Sequence, residues 1–254
     1  MSGRRDRERR REERLQGEGE AAGQERRRRL VKLGSAVAFL AVAALLVAVV
    51  ISQSQSDGGD ASDVRDTALV ANELRGLAQD GLILGDPAAP QTIVEFGDLQ
   101  CPACKQYATE VIPELIEGPV RRGDARLEFR NFVILGPQSS LAAAAAVAAG
   151  RQGRGWNFVE LFYRNQGIEH SGYVTDEFLA AIARGAGVPD MARWNADRGS
   201  ATVKREVNRT SAQASNLGLT GTPSFAIQSR GGALEPLGLP GSAAEIESAL
   251  SQAD

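Results

Sequence analysis

Thr92-Ile93-Val94-Glu95-Phe96-Gly97-Asp98-Leu99-Gln100-Cys101-Pro102-Ala103-Cys104 passes from a buried-strand pattern of β-branched and aromatic residues into a helical one. It carries both cysteines of the 254-residue chain. A structural disulfide stabilises mainly by closing a long loop, so a bridge enclosing two residues contributes little. A zinc site needs four ligands, and to this pair the chain adds only one histidine, His170. No metal is expected, and a reversible dithiol/disulfide leads. Cys101 would stand at a helix N-terminus, where unsatisfied N–H groups and the helix dipole favour a thiolate, with Cys104 more buried. Glu95 is the anomaly in the strand, and a carboxylate facing water at a strand edge is one account of it.

Around this stretch the pattern divides the chain. Gly85-Asp86-Pro87 and Ala89-Pro90 make a turn before the strand. Residues 102–117 look helical, with Pro102 in the first turn and Pro113 where it should kink the helix. Ala125 to Val133 alternates apolar and polar residues, predicting a strand with one buried face. Residues 139–217 are helical in pattern and include an alanine-rich run, Ala142 to Ala149, best explained by close helix packing. Thr175 is a candidate N-cap within this stretch. Pro223 to Ile227 and Leu234 to Leu239 read as strands parted by Gly231-Gly232, and Ala243 to Leu250 as a closing helix. The order is β, α, β, a helical block, β, β, α. The domain is expected over residues 81–254, with the helical insertion at about 137–217.

Residues 33–51 are uncharged, and as a helix would run about 28 Å, the thickness of a bilayer's hydrocarbon core. Residues 1–32 hold twelve Arg and Lys against seven Asp and Glu, a net of +5 in a mixed-charge tail expected to be disordered. The positive-inside rule leaves that tail in the cytoplasm and sends the rest outside. A cleaved signal peptide is the competing account, but Ser52 to Ser56 is a poor cleavage site and the apolar run exceeds the usual h-region. Taking +5 from the chain's −3 leaves −8 on the exported part, a charge that does not suit nucleic acid. Residues 52–80 read as a tether with a short amphipathic helix over 64–79. Disulfides persist outside the cytoplasm, so topology and chemistry agree.

The element order, with CxxC opening the first helix, resembles the thioredoxin fold carrying a helical insertion, as in the DsbA-like family of extracytoplasmic thiol–disulfide oxidoreductases. The motifs are Leu82 to Pro87 leading to Val94 to Cys104, the segment Trp156 to Gln166, and Gly221-Thr222-Pro223-Ser224-Phe225. The fold class implied is α/β, thioredoxin-like, with an inserted helical subdomain after one transmembrane helix. The resemblance implies a cis Thr222-Pro223 peptide facing the disulfide and binding extended substrate, and a buried acid at Glu95, six residues before Cys101. It also implies exported thiol proteins as substrates, a quinone-linked membrane protein as reoxidant, and no cofactor. Between the cysteines, Pro102-Ala103 departs from the best-known oxidant of the family, which has histidine there. The expected activity is oxidation of exported proteins by a monomeric enzyme. A reductase or isomerase of the same fold, or an anchored chaperone with incidental cysteines, is the alternative. His170 among Gly167, Ile168, Glu169, Ser171 and Gly172 reads as a solvated loop residue, and Asn208-Arg209-Thr210 matches a glycosylation sequon within a helical pattern; neither is assigned a function.

Overall fold

Strand β3, Gln91–Gly97, forms the centre of a six-stranded sheet and is buried along its whole length. A strand covered on both faces must be apolar on both, which is why Thr92 to Phe96 reads as a continuous run. The computed structural model describes residues 64–252. In it the sheet has the order β1-β2-β4-β3-β5-β6, with β1 Gln79–Asp80, β2 Ile83–Leu84, β4 Ala125–Asn131, β5 Ser224–Ser229 and β6 Leu234–Gly238. Only β3 and β4 pair in parallel, with Ile93 opposite Leu127 and Glu95 opposite Phe129. Strand β5 runs antiparallel on the other side of β3 and sets Phe225 opposite Glu95.

Strand β4 alternates as its sequence predicts. Ala125, Leu127 and Phe129 enter the main core, while Glu128 and Arg130 pair on the other face at 2.7 Å. The period of two likewise splits β3, sending Val94 and Phe96 to a small cluster with Phe132, Ala214 and Ala226, and Ile93 to the main core. Glu95 shares the face of Ile93, so it points into the main core and is 1% exposed. The account of Glu95 as a water-facing edge carboxylate is therefore overturned.

Helix α2, Pro102–Glu110, starts at the cysteines and stops short of the expected 102–117 span. The chain breaks at Val111, resumes as α3, Ile112–Leu115, and closes in a π-turn at Ile116–Val120. The cause is Pro113, which lacks an N–H and whose ring would strike the carbonyl four residues back. Between β4 and β5 lie α4 (Pro137–Gly150), α5 (Gly155–Arg164), α6 (Asp176–Gly185), α7 (Met191–Arg198) and α8 (Ala201–Asn216). Thr175, Asp190 and Ser200 cap α6, α7 and α8, each accepting an amide N–H from three residues on. In α4 the alanine run is buried except at half-buried Ala144, letting neighbouring backbones approach closely, and Trp194 Nε1 donates to the Ala145 carbonyl at 3.0 Å. Helix α5 is buried from Gly155 to Tyr163 and forms the spine of the insertion. Gly155 is required there, since a Cβ would sit 2.3 Å from the Gly81 carbonyl oxygen.

Two expectations about the N-terminal side change. The helix within 64–79 is α1, Thr67–Glu73, and the chain beyond it joins the sheet as β1 instead of remaining a tether. Val70 and Leu74 are buried in the main core, so the folded part begins before the expected boundary at 81. The expected transmembrane segment, 33–51, lies outside the described residues, as do residues 1–32. No helix among the described residues is long and apolar enough to cross a membrane. Helix α9, Ala243–Gln252, closes the fold.

Candidate active site

The site is built where β3 ends. Gly97 has no room for a side chain, since its Cβ would lie 2.5 Å from Phe129. The next residue, Asp98, is buried, and its carboxylate accepts amide N–H groups from Gln100 at 2.9 Å, Ile134 at 2.9 Å and Leu135 at 3.0 Å. This ties the turn before α2 to the loop after β4. Cys101 N donates back to the Asp98 carbonyl at 2.9 Å, which places Cys101 as the N-cap of α2 with Pro102 at the first position. Pro102 and Ala103 are exposed, whereas Cys101 and Cys104 are buried.

Cys101 is the sulfur at the surface of the pair, at 7% exposure against 0% for Cys104. Both are free thiols in this structure. The Cys104 amide donates to Cys101 Sγ at 3.4 Å, and Cys101 Sγ donates to the Thr222 carbonyl at 3.3 Å. The Thr222-Pro223 peptide is cis and lies against this sulfur, so sequence positions 121 residues apart meet at the site. The Cys101 thiol is lowered to about 6, chiefly by a hydrogen bond from the Cys104 thiol, over the opposing cost of burial. The Thr222 side chain and the amides of Cys104 and Ala103 add to that stabilisation. The Thr222 hydroxyl has no other partner among the described residues, which leaves it free to donate to a thiolate. Cys104 moves the opposite way: burial raises it well above the ordinary thiol range, helped by its bond to Cys101 and by Glu95.

Glu95 lies on the buried side of the pair and is pushed up to about 8, mainly by desolvation and secondarily by Cys101. Its Oε1 has no hydrogen-bond partner among the described residues. The structure thus brings Cys101, Cys104, Glu95, Thr222 and Pro223 to one place. His170 is not among them: its side chain is 65% exposed and pairs with its neighbour Glu169 at 2.9 Å. Thr210, the end of the sequon, bonds the Asn131 carbonyl from α8.

Several supports escape a reading of the sequence. Gln166, just beyond α5, donates to the Leu99 carbonyl at 2.7 Å and the Cys101 carbonyl at 3.1 Å. Tyr163 donates to the Asp98 carbonyl at 3.3 Å, and Gln100 to Ser139 at 2.9 Å. The insertion therefore holds the turn that carries the cysteines. A signal existed for one buried group: Glu160 interrupts the apolar run Trp156 to Tyr163 at the spacing of its buried face. Among the described residues no cluster could hold a metal ion.

Comparison with known proteins agrees with this geometry. A family model described as thioredoxin matches residues 78–233. A probable disulfide bond formation protein D of Bacillus cereus is 34% identical over 148 residues, covering 57% of this chain and 68% of that protein. The oxidised BdbD of Bacillus subtilis, 22% identical, superposes with a TM-score of 0.59 over 69% of this chain and 97% of its own, which speaks to the fold alone. A thioredoxin-like oxidoreductase from Silicibacter pomeroyi gives a TM-score of 0.55 at 30% identity, over 74% of this chain and 96% of its own. With the family model spanning the strand, the cysteine pair and the proline loop, the chain belongs to the thioredoxin family and is a thiol–disulfide oxidoreductase of the DsbA-like kind.

Proposed function

We propose that the protein is a membrane-tethered oxidase, which introduces disulfides into exported proteins by passing on a Cys101–Cys104 disulfide. The observation that carries this is the opposite displacement of the two thiols, Cys101 down to about 6 and Cys104 far up. A stabilised Cys101 thiolate favours the reduced enzyme and so makes its disulfide an electron acceptor. The name of the Bacillus cereus relative points the same way. The run 33–51 and the basic tail before it support an anchor that holds the domain outside the cytoplasm, where such disulfides persist.

A substrate thiolate attacks Cys101 Sγ, forming a mixed disulfide as the Cys101–Cys104 bond breaks and Cys104 leaves as thiolate. Glu95, protonated at neutral pH, gives its proton to that sulfur, which holds it tightly. A second substrate thiolate then attacks the substrate sulfur of the mixed disulfide and expels Cys101 as a stable thiolate. The substrate gains a disulfide and the enzyme two electrons. Extended substrate backbone pairs with the Thr222-Pro223 loop, while Pro102 and Ala103 form the exposed rim beside Cys101. Reoxidation reverses the roles: Cys104 returns its proton to Glu95 and attacks a mixed disulfide formed between Cys101 and a membrane-bound thiol oxidase linked to quinone. No cofactor of its own is needed.

Trapping tests this cycle. With Cys104→Ala, exported proteins should accumulate in mixed disulfides on Cys101 that dissolve on reduction, and Cys101→Ala should trap none. Absence of trapped species in the first variant, with unchanged disulfide formation in the cell, would leave an anchored binding module instead.

A further inference from the structure

Of the buried acids, Glu95 serves the proposed cycle and Asp98 ties the turn before α2, which leaves one without a role. Glu160 on α5 is 1% exposed, like Glu95, and its Oε1 has no partner among the described residues. Residues three apart share a helix face, so Glu160 lies one turn from Tyr163 on the same side of α5. Tyr163 Oη sits 3.0 Å from the place a Cβ would occupy at Gly97, and Glu95 is two residues earlier on that same face of β3. Glu160 and Glu95 lie close enough for the charge of Glu95 to act on Glu160. Also one turn C-terminal on α5, next to Tyr163, Arg164 Nη2 stands 3.5 Å from Glu160 Oε2 and 2.9 Å from Glu73 Oε2 of α1. The side chains of Arg164 and Glu73 are each 10% exposed and so touch solvent. Cys104, Glu95, Glu160 and the Arg164–Glu73 pair form a graded series from buried sulfur to protein surface.

We propose that Glu160 relays protons between Glu95 and solvent by way of the Arg164–Glu73 pair, acting on the thiol chemistry only through Glu95. The inference rests on Glu95 exchanging its proton with Cys104, as proposed above. When Glu95 has protonated the leaving Cys104, it is a carboxylate enclosed by protein. Glu160–OH then gives its proton to Glu95, and Glu160 regains one from solvent at Glu73. Reoxidation sends a proton the other way. The groups facing Glu160 are Glu73 from α1, Arg164 from α5 and Glu95 from β3; those facing Glu95 are Cys101 and Cys104 from α2 and Tyr163 and Glu160 from α5. Two carboxyls, Glu73 and Glu160, share the Arg164 guanidinium, and Glu73 also faces Arg121 and Glu117. Burial first, then repulsion from Glu73, raises Glu160 well above the usual carboxylate range, partly countered by Arg164, and the net displacement favours its protonated form.

The test is single-turnover reduction of the oxidised full-length protein by dithiothreitol at pH 7, quenched with acid and counted by thiol alkylation. Glu160→Gln, which keeps the shape and removes the titration, is expected to slow reduction about tenfold, less than the roughly 10²–10⁴-fold of direct general acid catalysis because Glu160 acts only through Glu95. Glu160→Asp, which keeps the carboxyl, should recover most of that rate, and the ultraviolet titration of the Cys101 thiolate should stay in place in both. A structural role for Glu160 predicts the reverse order, Gln near wild type and Asp impaired, and that order would overturn the relay. Glu95→Gln should show a similar loss, with none added in the Glu95→Gln/Glu160→Gln double variant. A slow Glu95→Gln beside a Glu160→Gln at wild-type rate would sink the relay alone; a Glu95→Gln at wild-type rate would sink the proton role of Glu95 with it. If Glu160→Gln does not fold, Glu73→Gln carries the test from the surface end: the same step should slow, and an unchanged rate would overturn the path.

Discussion

Glu95 is an acid kept where acids are costly. Its carboxyl titrates about 8 in the fold against an ordinary 4.5, so the native state holds a proton that the unfolded chain has lost between those values. The sign follows: below pH 4.5 both states are protonated and Glu95 costs nothing electrostatic, and stability falls as pH rises from about 4.5 to about 8. Glu95→Gln in the reduced protein is expected to raise unfolding free energy at pH 8 by an amount on the order of 3 kcal/mol, shrinking towards zero near pH 4.5. Urea unfolding of both proteins across that range checks it, and a pH-independent difference would count against the buried acid. The cysteines were legible from the sequence as a pair without other partners. The displacement of Cys101 was legible in direction, from its place at a helix start. Its main cause, the hydrogen bond from Cys104, and the help of Thr222 were not, because they depend on atoms brought together by the fold.

Single elements were easier to foresee than their contacts. Strand β4 and the Thr175 cap follow from local rules of alternation and capping, so their sequences suffice. The break at Val111 follows from Pro113, though the pattern placed a kink where the chain makes two helices. The burial of α1 was not legible, because a short run of Ala, Val and Leu at helical spacing does not name the surface that covers it. The turn after β3 depends on Asp98, whose three amide partners lie up to 37 residues away. Asp98→Ala strands those amides in a buried site and is expected to cost about 3 kcal/mol of stability in chemical denaturation. It should also loosen the β4–α4 loop, with faster amide exchange at Ile134 and Leu135. Protection unchanged at both positions would show that the carboxylate does not hold the loop.

At the scale of the whole molecule, the insertion and the thioredoxin-like sheet divide the work. The sheet supplies Glu95 and the proline loop, and the insertion supplies Gln166 and Tyr163, which fix the turn carrying the cysteines. In the proposed cycle, sulfur chemistry faces solvent at Cys101 while proton chemistry stays inside at Glu95. The two thiols separate in opposite directions, which supports the proposed oxidase role although Pro102-Ala103 stands where the best-known oxidant has histidine. The most direct test is equilibration of the full-length protein with glutathione redox buffers, combined with titration of the Cys101 thiolate. The account predicts half-reduction at or above the potential of an oxidising compartment, with Cys101 titrating at about 6. A potential far below that range, with Cys101 titrating as an ordinary thiol, would contradict it and mark the protein as a reductase.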